Sequence, residues 1–172
     1  SANTYVGYEV GTYMDDGANN VAMGYRAMKG ASTGNDATDN VAIGALTLNA
    51  ITDGDNNVAV GKSAGAALTD SGNNVLIGSN SGGALTAGSN YNVMIGDGAG
   101  STDTSNLEHT VLVGRNAGSS ISGGLPDGTV AIGGKALTAL TSGGQNVAVG
   151  YESGTDITTG ASNTLLGYGA GK

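Results

Sequence analysis

The chain has no cysteine, no tryptophan, no phenylalanine, one proline and one histidine. Each scarcity excludes something. Without cysteine there are no disulfides and no thiolate chemistry, so an exported form must be held by other means. A single proline, with no glycine at every third position, excludes collagen. One histidine excludes a metal centre built from several imidazoles. Charged residues make up 12%, too few for a coiled coil or for charge-driven disorder. No apolar run reaches the length of a membrane span, so no membrane insertion is expected. Six Lys and Arg stand against 14 Asp and Glu, a net charge of −8. Nucleic acid is therefore a poor partner, because phosphates need cations to neutralise them. No signal peptide is evident and residue 1 is Ser, which reads as a processed or shortened piece.

Glycine is what the chain has in excess, 33 of 172 residues, against a typical value of roughly 7%. With aromatics at 4%, a core must be built from Val, Ile, Leu and Ala. The glycines follow a repeat, the signature of stacked architectures. A unit of the type Asn-Val-Ala-Ile-Gly ends at Gly7, Gly24, Gly44, Gly61, Gly78, Gly96, Gly114, Gly133, Gly150 and Gly167. The spacing is 17 to 20 residues. A small residue follows most of these glycines by three (Ala27, Ala64, Ser81, Ala99, Ala117, Ala136, Ser153, Ala170), and an aliphatic follows by seven (Ile51, Leu68, Leu85, Ile121, Leu140, Ile157). A hydroxyl follows by eight: Thr52, Thr69, Thr86, Thr104, Ser122, Thr141 and Thr158.

Val- and Ile-rich segments bounded by Gly, Asn, Asp and Ser read as strands between turns. Each period has room for two short strands and two bends. The expected fold is all-β, a parallel β-solenoid or β-roll of about ten 17–20-residue coils forming one domain over residues 1–172. Stacked at about 4.8 Å per coil, ten coils make a rod of about 48 Å.

Alternate strand residues face opposite sides. Val and Ile at the strand ends are expected to form the core. The other face carries Tyr5, Ala22, Ala42, Ala59, Leu76, Met94, Leu112, Ala131, Ala148 and Leu165. A second apolar face implies self-association, most simply a homotrimer with this row as its interface. The Asn before each unit (Asn20, Asn40, Asn57, Asn74, Asn92, Asn146, Asn163) is expected to stack as an amide ladder at a buried bend.

Chemistry-bearing residues are sparse. His109 reads as a polar bend residue, and neither a phosphate-binding loop nor a marked carboxylate pair is present, so no enzyme is expected. Asp53 and Asp70 share a repeat position in adjacent coils with Asp55 nearby, an oxygen set that could take Ca²⁺. The alternative is a solvated acidic edge, with no cofactor. Tyr8 and Tyr25 share the position after the glycine, as do Tyr151 and Tyr168; such pairs could stack on the sugar rings of a receptor, or cover a bend. The longer inserts, Asn35–Asp39, Ser101–His109 and Ser119–Asp127 (with Pro126), are further binding candidates.

The unit Asn146-Val-Ala-Val-Gly150, with its small residue and second segment running on to Asn163, resembles the head repeat of trimeric autotransporter adhesins (YadA-like heads). It is also similar to the longer repeats of phage tail-fibre proteins. The resemblance covers nearly the whole chain, although the period here is longer and irregular and no neck, stalk, membrane anchor or chaperone domain accompanies it. It implies a left-handed parallel β-roll, three to a trimer. It also implies a fibre on a virion or bacterial surface that presents a face to a cell-surface receptor or glycan. Other readings are a monomeric solenoid that binds ice or Ca²⁺, and a polysaccharide-degrading tailspike. Both ends fall at the edge of a repeat without the polar caps that solenoids need. That pattern reads as a fragment of a longer fibre or a unit stacking end to end.

Overall fold

The computed structural model describes residues 2–31, 35–102, 106–122 and 127–172. The β-branched residues flanking each strand centre give ten three-residue strands. They are β1 (Thr4–Val6), β2 (Val21–Met23), β3 (Val41–Ile43), β4 (Val58–Val60), β5 (Val75–Ile77), β6 (Val93–Ile95), β7 (Val111–Val113), β8 (Val130–Ile132), β9 (Val147–Val149) and β10 (Thr164–Leu166). They form one parallel sheet in sequence order. Register pairs like with like: Ala42 lies beside Ala59, and Leu76 beside Met94. The fold is the expected β-solenoid, one strand per turn.

Each strand is followed by a glycine, and wherever another coil follows, nothing larger fits the corner. Gly44 has φ 137°, and a Cβ there would lie 2.6 Å from the carbonyl oxygen of Gly61 in the next coil. The coils therefore touch backbone to backbone at this edge.

The second strand expected in each period does not form. After the corner glycine the chain alternates into the left-handed region, as at Leu46 (φ 60°) and Leu48 (φ 47°) or Asn116 (φ 55°) and Gly118 (φ 57°). Alternation sends successive amides to opposite neighbours. Leu46 N–H donates to Tyr25 O in the preceding coil, and Leu48 N–H to Ala64 O in the following one. This wall is hydrogen-bonded coil to coil without being a sheet. A left-handed residue costs about 1–2 kcal/mol unless it is Gly or Asn, which explains the small, Gly-rich composition here.

The amide ladder forms as expected. Asn57 is fully buried; its Nδ2 donates to Asn40 Oδ1 at 3.0 Å and to Ser71 O at 2.9 Å. Its own Oδ1 accepts from the backbone and side-chain nitrogens of Asn74. Asn20, Asn40, Asn74 and Asn92 continue the pattern, and Asn146 with Asn163 resume it. Thr110 and Thr129 interrupt it in two coils; Thr110 N–H still donates to Asn92 Oδ1.

Which face is core is the main correction. Ala22, Ala42, Ala59, Leu76, Met94, Leu112, Ala131 and Ala148 are buried inside the single chain, and Tyr5 and Leu165 pack against them at the two ends. The row expected to be a trimer interface is thus the interior. Its partners are the residues four after each corner glycine, and the two positions trade size. Ala22 faces Met28, Ala42 faces Leu48 and Ala131 faces Leu137; Leu76, Met94 and Leu112 instead accompany Gly82, Gly100 and Gly118. A Cβ on Gly118 would lie 2.8 Å from Leu112 Cδ2. The aliphatics Ile51, Leu68, Leu85, Ile121 and Leu140 close the core.

Two substitutions test this packing by denaturant unfolding. Gly44→Ala should cost roughly 2–4 kcal/mol, since both the backbone and the contact with Gly61 oppose a side chain. Leu112→Ala should cost about 2–5 kcal/mol by leaving a cavity. Loss of less than about 0.5 kcal/mol in either would contradict the assigned interior.

Candidate functional site

If strand centres point inward, strand ends point outward. Val21, Met23, Ile43, Ile77, Ile95, Ile132 and Val147 are 36–47% exposed, and Val6 and Leu166 more so at the terminal strands. Between them Val41, Val58, Val60, Val75, Val93, Val111, Val113, Val130 and Val149 are half-buried. The result is a band two side chains wide, running the length of the sheet and carrying no charge. Its accessible apolar area is on the order of 10³ Å², above the few hundred Å² usual for the largest patch on a monomer. Sequence reasoning placed these residues in the core, where they would have left no such band.

Along one margin of the band lie the tyrosines that follow the corner glycines. Tyr8 and Tyr25 stack with ring centroids 5.8 Å apart and planes 6° apart; Tyr151 and Tyr168 stack at 5.8 Å and 13°. All four are exposed. The structure thus brings each expected pair together, each ring covering a face of its partner. Cations lie beside both pairs: Arg26 Cζ is 5.0 Å from the Tyr25 centroid and Lys135 Nζ 5.9 Å from that of Tyr151. Along the other margin a third stack was not anticipated. Tyr91 and His109 lie 5.2 Å apart with planes 15° apart. The signal available in the sequence was aromatic rings at the position before the ladder residue, where the other coils carry Asn, Asp, Gln, Ser, Gly or Ala.

The acidic residues serve mainly as bend partners. Asp55 Oδ1 accepts from both the backbone N–H and the hydroxyl of Thr38, at 2.7 and 2.9 Å. Asp53 and Asp70 are exposed at the bend. Among the described residues no group of three or more His, Asp or Glu is placed to hold a metal ion. The hydroxyl row serves the bends in places: Thr52 N–H donates to Thr69 O, and Thr141 Oγ1 to Thr158 O. Thr104 and Pro126 lie outside the described residues. In the insert at Asn35–Asp39, Asn35 donates from Nδ2 to Tyr13 O at 2.8 Å. A shallow polar groove of about 500 Å³ crosses the left-handed wall, lined by Ser63, Asn80, Asp97, Ser101 and Asn116 over Ala and Gly. No helix among the described residues is long and apolar enough to cross a membrane.

Two ion-pair clusters sit beside the tyrosine pairs. Glu9 pairs with Arg26 at 2.7 Å and Lys29 at 3.2 Å; Glu152 pairs with Lys172 at 2.5 Å and Lys135 at 3.3 Å. Hydrogen bonds from Lys29 and then Arg26 hold the Glu9 carboxyl below its ordinary value of 4.5, and Lys172 followed by Lys135 does the same for Glu152. A carboxyl held low contributes its stability fully above the ordinary value. That contribution disappears as pH falls through the lowered one. Thermal unfolding should therefore show a small stability loss on acidification below about pH 4.5. In a Glu9→Gln/Glu152→Gln variant that loss should shrink; an unchanged acid limb would show that these pairs do not contribute.

Compared with models of known families, with curated proteins and with solved structures, the chain matches none.

Proposed function

We propose that the chain is a structural and adhesive segment of an extracellular or virion fibre, assembled as a homotrimer and presenting its outer surface to a receptor or glycan on a host cell. The observation that carries this reading is the uncharged Val/Ile band on one side of a rod whose other backbone edges are paired coil to coil. A second and third copy of the same chain fit that band best. They repeat with the same inter-strand spacing of about 4.8 Å, so ladder meets ladder along the whole length. An area on the order of 800 Å² per partner is what a stable interface requires, and the band supplies that order. The interface is thus the Val/Ile face, in place of the alanine row. The resemblance to adhesin heads and phage tail fibres points to the same assembly and to an attachment role. With an interior filled by aliphatic side chains and bends held by Asn and Asp, the rod reads as a spacer and display surface without catalytic machinery.

Light scattering tests the assembly. The expected mass is that of three chains. An Ile77→Lys/Ile95→Lys variant should fall to the mass of one chain while keeping its far-ultraviolet spectrum, because both side chains already face outward. A monomeric parent protein at micromolar concentration would overturn the proposal.

A further inference from the structure

Bends before the ladder residue are the same in nearly every coil. The backbone there is left-handed at Asn19, Asp39, Asn56, Asn73, Gln145 and Ser162, with φ between 57° and 61°. The other left-handed bends at this position carry Asn, Asp, Gln, Ser or Gly, so an aromatic ring here is a departure in side-chain size. Two adjacent coils depart: Tyr91 has φ 59° and His109 φ 55°. Their rings stack, and Tyr91 is 56% exposed. Unlike Tyr25 and Tyr151, neither ring has a cation over it among the described residues.

The residues just before the rings hold the platform in place. Asn90 Oδ1 accepts from Gly72 N–H at 2.8 Å, and its Nδ2 donates to Glu108 Oε1 at 3.3 Å. Asp127 Oδ1 accepts from Glu108 N–H at 2.9 Å. Glu108 Oε2, the Tyr91 hydroxyl and the His109 ring nitrogens have no hydrogen-bond partner among the described residues. An exposed aromatic surface is therefore ringed by unengaged donors and acceptors on a rigid bend.

We infer that the Tyr91–His109 stack is a binding site for a neutral glycan. The apolar C–H face of a pyranose would lie on the rings, and its hydroxyls would meet Glu108 and the imidazole. Glu108 and the net charge of −8 disfavour an anionic ligand. This inference rests on the attachment half of the proposed function and moves the glycan site away from the Tyr8/Tyr25 and Tyr151/Tyr168 pairs.

The test uses Tyr91→Asn and His109→Asn, since Asn is what neighbouring coils carry and the backbone accepts it. Titration calorimetry is run with a panel of neutral hexasaccharides of glucose, galactose and N-acetylglucosamine, and light scattering on the same samples. At least one sugar should bind the parent protein and lose about tenfold or more in affinity in each variant, with Tyr8→Ser and Tyr168→Ser unaffected. Sugar binding that survives both Asn variants overturns the assignment and leaves the attachment role standing. No binding to any sugar overturns the glycan inference, and the mass then reports separately on the fibre. A change of mass in the Asn variants without a change in sugar binding would assign the pair to the interface between copies and also overturn it.

Discussion

A coil this narrow has room for one large side chain between its sheet and its opposite wall. Where the strand centre is Leu112, the facing residue is Gly118; where it is Ala131, the facing residue is Leu137. In two coils both positions are small. At Gly65 the gap is filled from either side: a Cβ there would meet Leu48 Cδ2 and Leu76 Cδ1, each at 2.8 Å. Interiors pack at crystal-like density, so this reciprocity fixes the order of the coils as well as the content of each. It also decides the outside, because a β-strand with its centre inward must turn its ends outward.

Stacking satisfies the backbone, and the ladders satisfy the bends. Strand amides pair across the sheet and left-handed wall residues pair with coils on both sides. The buried Asn amides bond each other and the nearby carbonyls. A buried polar group without a partner costs about 1–3 kcal/mol, so each Asn removes several such costs at once. Little hydrogen-bonding need is left over, and the surface property that stands out is the apolar band.

Much of this was legible in the sequence. The period, the corner glycines, the Asn ladder and the recurring aliphatic position of Ile51 and Leu68 all follow from residues at fixed offsets. The orientation of the strand was inverted because hydrophobicity ranks Val and Ile above Ala, and the larger pair was assigned to the core. The opposing clue was the size trade between the strand centre and the residue four after the glycine, as in Ala42 with Leu48 and Leu76 with Gly82. The wall was read as a second strand because alternation into left-handed backbone leaves only a loose signature. Leu46, Lys135 and Glu152 adopt it without being Gly or Asn. Tyr91 and His109 were missed as a pair because their coils are one insertion longer than the base period, which hid their shared position.

Ala42 is buried inside one chain and its neighbour Ile43 is exposed; the central claim is the proposal that a second copy covers Ile43. The chain has no native cysteine, so thiol labelling of single variants reads the two directions without background. An Ala42→Cys variant should resist a maleimide at every protein concentration until the fold is lost. An Ile43→Cys variant should be protected when concentrated and react faster as dilution separates the copies. Labelling of Ala42→Cys in the folded, diluted protein, with Ile43→Cys protected throughout, would reverse the two faces and contradict the account.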